Sequence, residues 1–258
     1  MVFEGSFPNW NIQMGDSVLS SVKLREEIMS SHRLYNFTVQ LIRLYARLML
    51  KLDIRWRAAP LPAGPKLFIA NHPSASDPFL IHLLSSKPLS VMITGNAFDM
   101  PLFGDFLHHC GQISVKAGEG KGALDQAQQR LQSGHSVGIF PEGLVSPQSG
   151  GYHPPRTGAA RLALCTGVPV IPIGIYLPRE RSLFIESKLT GKRTAAYWYL
   201  RGPYGMTVGE PITFTGSIED QSLVRSVTTT MMEKIHELAE ESEQRVRFAP
   251  SGARLPAV

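Results

Sequence analysis

Cysteine is nearly absent from this 258-residue chain, which has two, Cys110 and Cys165. Two thiols cannot build a disulfide framework. Neither has a Cys or His at ligand spacing, so no zinc site is expected and a reducing cytoplasm is the expected setting. Charge is sparse as well: 18% of residues are Asp, Glu, Lys or Arg against 43% hydrophobic, which excludes a disordered chain and leaves ample apolar material for a core. Long apolar runs are missing too. Met1 to Trp10 lacks the basic-then-apolar order of a signal peptide. The longest uncharged interior run, Leu162 to Pro178, is broken by Gly167, Pro169, Pro172 and Gly174, so no spanning helix is expected. Aromatic and basic residues are not interleaved as on a nucleic-acid platform, and no nucleic-acid partner is expected.

What charge there is sits in one place. The formal net charge is +5. From Val22 to Arg57 eight basic side chains face three acidic ones, while the rest of the chain carries 18 of each sign. The same segment has helical periodicity from about residue 21 to 52. Asn36, Gln40, Arg43, Arg47 and Lys51 recur every three or four positions, opposite a broad apolar face that includes Leu34, Phe37, Leu41, Leu44 and Leu48. Residues 34 to 52 would run about 28 Å at about 1.5 Å per residue, but the cations make spanning costly. Two placements remain: flat in a membrane interface, or packed on the domain behind it.

After Ala58 the pattern becomes punctuated α/β. Apolar runs at 66–70, 89–94, 112–115, 137–140, 168–176 and 208–214 read as strands, and 78–86, 120–133, 156–165 and 219–244 as helices. The expected fold class is therefore α/β, a mixed, largely parallel central sheet flanked by helices, with an N-terminal amphipathic helical segment. The expected division is 1–57 as a membrane-contacting helical segment whose first twenty residues are irregular, 58–247 as the α/β domain, and 248–258 as a disordered tail.

The strand at 66–70 runs into Asn71-His72-Pro73-Ser74-Ala75-Ser76-Asp77-Pro78. Loops at strand ends of such sheets face a crevice and collect reacting groups. A histidine takes a proton near neutral pH, and a carboxylate fixes its tautomer and stabilises the imidazolium, so His72 and Asp77 would activate a hydroxyl supplied by a substrate. Both residues also have a purely structural reading: Asp77-Pro78 fits a helix N-cap before a first-turn proline, and His72 a pre-proline residue.

Three later stretches favour chemistry. They are Gly95 to Val115, with Pro101, Gly104 and Gly111-Gln112-Ile113-Ser114-Val115; Phe140-Pro141-Glu142-Gly143; and Val168-Pro169-Val170-Ile171-Pro172. In this order, from about Leu61 to Tyr176, the set resembles the PlsC-like glycerolipid acyltransferase family, with its N-H-x4-D, F-P-E-G and V-P-V-I-P blocks. The resemblance implies transfer of an acyl group from a thioester on coenzyme A or acyl carrier protein to a lysolipid hydroxyl, most directly that of 1-acyl-glycerol-3-phosphate, in phospholipid biosynthesis. It implies His72 as general base, Asp77 as its orienting partner, and Glu142 and Gly143 in the acceptor loop. Gly95, Asn96 and Gly104 would line the same crevice. It implies no cofactor beyond the acyl donor, no metal, and a peripheral position on the inner face of a membrane.

The chain also departs from that pattern. Members that acylate lysophosphatidic acid usually carry E-G-T-R-S after the F-P, whereas here Leu144-Val145-Ser146 follows Glu142-Gly143, and Lys116-Ala117 stands where Asp-Arg often follows Val115. Both phosphate-reading arginines are missing. Lys116, Arg156 or Arg161 would have to substitute, or the acceptor is a lyso-ornithine or other hydroxylated lipid, or the chain is a silent lipid-binding relative. A second motif competes: Gly134-His135-Ser136-Val137-Gly138 fits a G-x-S-x-G nucleophile elbow, with Asp220 and His236 in triad order. The elbow needs a strand before it and a helix after it, and the expected order here is the reverse.

Overall fold

A computed structural model describes residues 33–187 and 194–248. The irregular start expected for the first twenty residues, the first turns of the expected helix and the expected disordered tail lie outside the described residues, except that Phe248, expected to open the tail, still belongs to the last helix. The first helix, α1, spans 33–49, and the chain then extends into strand β1 (Leu50–Trp56). The helix thus ends three residues before the expected 52. The cause is visible in Leu50-Lys51-Leu52-Asp53-Ile54-Arg55-Trp56, a strict period of two, which pairs in parallel with strand β9 (Gly202–Val208) over all seven residues. Leu50, Leu52, Ile54 and Trp56 join one core layer, while Asp53 meets Arg245 on the opposite face at 2.8 Å. Seven residues of the expected helical segment therefore belong to the central sheet.

The order continues as β2 (Leu67–Ala70), α2 (Asp77–Leu80), β3 (Leu89–Thr94), α3 (Gly95–Phe98), α4 (Phe103–His109), β4 (Ile113–Val115), α5 (Gly120–Gln132) and β5 (Ser136–Ile139). Then follow α6 (Gly158–Thr166), β6 (Val170–Tyr176), β7 (Leu183–Ser187), β8 (Thr194–Trp198), β9 (Gly202–Val208) and α7 (Gln221–Phe248). The helix expected over 78–86 is α2 tightened into a 3-10 turn, Ile81–Leu84. The strand expected at 208–214 lies earlier, as β9. Pro211 cannot donate to a ladder, and only an isolated bridge from Ile212 to Val170 follows.

The seven-stranded sheet runs β1-β9-β6-β2-β5-β3-β4, and β7 pairs with β8 in a separate hairpin. Strands β6, β2, β5, β3 and β4 are mutually parallel, and β9 runs antiparallel to β6. All four residues of β2 are buried because helices cover both faces. Leu67 and Ile69 face the layer of α5, α6 and α7, whereas Phe68 and Ala70 face Ala46 of α1 and Leu80, Ile81 and Leu84. Parallel strands share one carboxyl edge, so the loops after β2, β5, β3 and β4 emerge side by side. No helix among the described residues is long and apolar enough to cross a membrane.

Candidate active site

His72 follows β2 directly. Asn71 fixes its start by bridging to β6: its side-chain amide donates to the Ile175 carbonyl at 2.8 Å, and its Oδ1 accepts from Ile175 N–H at 2.7 Å. The His72 ring stacks on Phe140 at the end of β5, with centroids 4.4 Å apart. Its Nδ1 lies 3.0 Å from Asp77 Oδ2. A carboxylate only accepts, so Nδ1 carries the hydrogen and Nε2 is left as the basic nitrogen. The His72 side chain keeps 14% exposure, while that of Asp77 has none.

Asp77 is not a helix cap. No side-chain cap bond forms at the start of α2; the carboxylate turns back into the loop. Oδ2 accepts from Ser74 N–H at 2.8 Å, and Oδ1 accepts from the Tyr204 hydroxyl at 2.6 Å. Tyr204 on β9 is fully buried. Burial, and then the negative Asp77 beside it, push its phenol well above the usual 10, so it stays a donor. Tyr204 was not foreseen. It lies 127 residues from its partner, in a strand whose Gly202-Pro203 opening hides it.

Glu142, after β5, is 2% exposed and fully engaged by the protein. Oε1 accepts from His72 N–H at 3.1 Å and from the Ser146 hydroxyl at 2.7 Å, and Oε2 accepts from His153 N–H at 2.8 Å. The carboxylate expected to meet an acceptor instead ties three loops together beneath His72. Gly143 adopts φ +68°, and a Cβ there would stand 2.9 Å from Arg156 Nε, so the glycine lets the Arg156 side chain lie across the loop. Along the same edge Gly95 follows β3 and opens α3 beside Lys116, whose Cγ would be 2.6 Å from an added Cβ. Asn96 is exposed in α3. Gly104 lets α4 rest on α3, since its Cβ would meet the Phe98 carbonyl at 1.9 Å. Lys116 and Arg156 are thus exposed at this edge, whereas Arg161 donates to Gln221 and Ile218 at the start of α7 and drops out as a substitute.

Beside the loop runs an apolar groove of about 300 Å³, lined by Thr38, Leu41, Ile42 and Tyr45 of α1, by Ser76, Phe79 and Leu80, and by Trp198 and Leu200. Among the described residues no group of three His, Cys, Asp or Glu could hold a metal. Ser136 opens β5 and accepts from Lys66 N–H at 3.2 Å, with α5 before it and the strand after it, so no nucleophile elbow forms. Asp220 caps α7, and His236 lies sixteen residues along, about 24 Å at about 1.5 Å per residue. The two cannot share a triad.

A family model described as Acyltransferase matches residues 54–176. A chloroplastic 1-acyl-sn-glycerol-3-phosphate acyltransferase of Brassica napus is 30% identical over 117 residues, which cover 44% of this chain and 33% of that protein. Its counterpart in Borreliella burgdorferi is 24% identical over 51% of this chain and 52% of its own. Residues 54–176 are thus similar to the acyltransferases of the PlsC-like family. A probable 1-acyl-sn-glycerol-3-phosphate acyltransferase of Mycoplasma genitalium, 31% identical, is matched over 45% of each chain. The chain thus spans a third to about half of the length of these relatives. The crystal structure of the 1-acyl-sn-glycerophosphate acyltransferase PlsC of Thermotoga maritima shares the fold, with a TM-score of 0.55 at 19% identity over 84% of this chain and 82% of that one. Strand β9, which supplies Tyr204, and the β7–β8 hairpin both lie beyond the matched family region.

Proposed function

We propose that this protein transfers a fatty acyl group from an acyl thioester, on coenzyme A or acyl carrier protein, to the hydroxyl of a lysolipid. 1-Acyl-glycerol-3-phosphate, the acceptor named in its relatives, is the leading candidate. The observation that carries this reading is the His72–Asp77 pair, held by Ser74 and Tyr204 with Nε2 of His72 turned away from Asp77.

Nε2 takes the hydroxyl proton as the acceptor oxygen attacks the thioester carbonyl carbon. Asp77, ionised and fixed, stabilises the imidazolium that results. When the tetrahedral intermediate collapses, the C–S bond breaks and the thiolate takes the proton from His72, giving acylated lipid and free thiol. No protein nucleophile is consumed and no cofactor is needed. Glu142 sets the height of the His72 backbone, and the groove beside the loop suits a hydrocarbon chain. Lys116 and Arg156 are the cations that would meet an acceptor phosphate, although a lysine is a point charge rather than a fork.

The protein would lie peripherally on the inner face of the membrane. Four apolar residues of α1, Phe37, Leu41, Leu44 and Leu48, are 49 to 71% exposed. They are offset by two positions, or about 200°, from Tyr35, Val39, Ile42 and Ala46, which pack on the body. One face of this helix packs on the body, and the exposed stripe on the other supports the interfacial placement. The missing arginine after Glu142 favours a second acceptor class, such as a lyso-ornithine lipid. A panel of lysophosphatidic acid, lyso-ornithine lipid and neutral lysolipids, assayed by thiol release from one donor, tests the assignment. Turnover of lysophosphatidic acid is expected; turnover of only non-phosphorylated acceptors would overturn the phosphate reading, and turnover of none would overturn the enzyme.

A further inference from the structure

The β7–β8 hairpin carries large exposed apolar side chains on both of its faces, with Glu186 beyond Phe184 on one of them. Leu183 and Ile185 share one face with their partners Trp198 and Ala196, while Phe184 sits on the other against Tyr197, with rings 5.0 Å apart. Leu183, Phe184 and Ile185 are each 43 to 54% exposed. An antiparallel ribbon in water buries one face and turns polar groups outward on the other, and an isolated two-stranded ribbon is marginal by itself. This one does neither, and it makes no ladder with the main sheet.

Its apolar surface continues into that of α1. Leu183 is paired with Trp198, Trp198 lines the groove together with Leu41, and the Tyr45 hydroxyl donates to the Leu200 carbonyl at 2.6 Å. The hairpin and the exposed stripe of α1 are thus the two banks of one groove. Exposed arginines flank both banks: Arg43 on α1, and Arg181 and Arg201 at the base of the hairpin. Among the described residues, Arg33, Arg43 and Arg47 on α1 and Arg181 and Arg201 at the hairpin stand against only Glu180 and Glu186 there, so the rim is net basic. Two copies seated face to face would repel, whereas an anionic bilayer offers apolar depth and headgroup charge together.

We propose that the β7–β8 hairpin is a second membrane-inserting element, entering the headgroup region of an anionic bilayer alongside α1 and setting the His72 loop at the lipid surface. The link to the loop is direct. Ala75 N–H donates to the Tyr197 carbonyl at 2.9 Å, Tyr199 N–H to Ser74 Oγ at 2.8 Å, and the Ser76 hydroxyl to the Tyr199 carbonyl at 2.9 Å. The segment between His72 and Asp77 is therefore laced to the strand that leaves the hairpin. The proposal rests on the lysolipid reading of the site.

The test is sedimentation of the full chain with mixed phosphatidylcholine/phosphatidylglycerol vesicles. Phe184→Ser/Ile185→Ser is expected to weaken partitioning about 10- to 50-fold while leaving turnover of a monomeric short-chain acceptor in vesicle-free buffer unchanged. Ile185→Ser alone, which keeps the Phe184–Tyr197 contact, is expected to show a smaller loss and serves if the double variant fails to fold. Unchanged partitioning of the hairpin variants, with partitioning lost in Phe37→Ser/Leu48→Ser, overturns the hairpin inference and leaves the membrane reading standing. A wild-type chain that ignores these vesicles overturns both. A wild-type dimer that Phe184→Ser/Ile185→Ser converts to monomer makes the face an interface between copies and overturns the proposal.

Discussion

The loop from Asn71 to Asp77 and the rim of the neighbouring groove are built on opposite principles. In the loop each polar side chain has a protein partner: Asn71 on β6, His72 on Asp77, Ser74 and Ser76 on the carbonyls of Tyr197 and Tyr199, and Asp77 on Tyr204. On the rim, α1 and the hairpin turn large apolar side chains outward. A group that transfers a proton must be held to within tenths of an ångström, whereas a surface that meets a fluid bilayer needs area and charge rather than register. Substitutions in the loop should therefore appear in kcat, and substitutions on the rim in surface binding.

The largest effect is expected at Asp77. On the proposed mechanism Asp77→Asn removes the charge that stabilises the imidazolium, and kcat for thiol release should fall about 10²–10⁴-fold with little change in KM. A rise in KM at constant kcat would place Asp77 in binding instead. The second effect concerns the joint between the two regions, where Leu89 N–H donates to the Tyr35 hydroxyl and that hydroxyl meets His82 Nδ1, both at 2.9 Å. Burial lowers the His82 pKa from 6.5 to about 4. The unfolded chain then binds a proton below pH 6.5 that the folded chain refuses until about pH 4. Stability is thus full above pH 6.5 and falls by about 3 kcal/mol as pH drops to 4. Chemical denaturation of His82→Gln should lack that part of the acid dependence, and an unchanged pH profile would show that His82 is not the group.

Tyr204→Phe comes third. It removes one hydrogen bond to a buried charge, and kcat should fall about tenfold at nearly constant KM. In a His72→Ala background the same change should cost nothing further, whereas a merely structural tyrosine would lower stability and leave kcat alone. The smallest effect on turnover is expected for Phe37→Ser/Leu48→Ser: kcat on a monomeric acceptor should hold within about twofold, while vesicle binding weakens. Loss of kcat there would erase the contrast between loop and rim.

Much of the sheet was legible because its parallel strands are short, uniformly apolar and punctuated by Gly and Pro, as at 66–70 and 89–94. The placement of the candidate site was legible where its residues follow such strands: His72 after β2, Glu142 after β5, Gly95 after β3 and Lys116 after β4 stand along one edge. Strand β1 was missed although Leu50 to Trp56 alternates strictly, since the helical stripe runs into it without a break. The location of charge was legible but its use was not. Arg57 counts in the basic segment, yet it is held by Glu237 and Glu241 of α7 at 2.7 and 2.6 Å. Tyr204 carried no local signal, because its role exists only once β9 lies beside the loop. The double apolar face of α1 could be read as a broad stripe, but only packing shows which half is covered.

The most direct measurement is thiol release from an acyl thioester in the presence of lysolipid, compared between the wild-type chain and a folded His72→Ala variant. The His72–Asp77 account predicts steady release by the wild type and a loss of about 10²–10⁴-fold in the variant. Equal release by the two proteins would contradict it, as would a loss caused by Ser136→Ala instead.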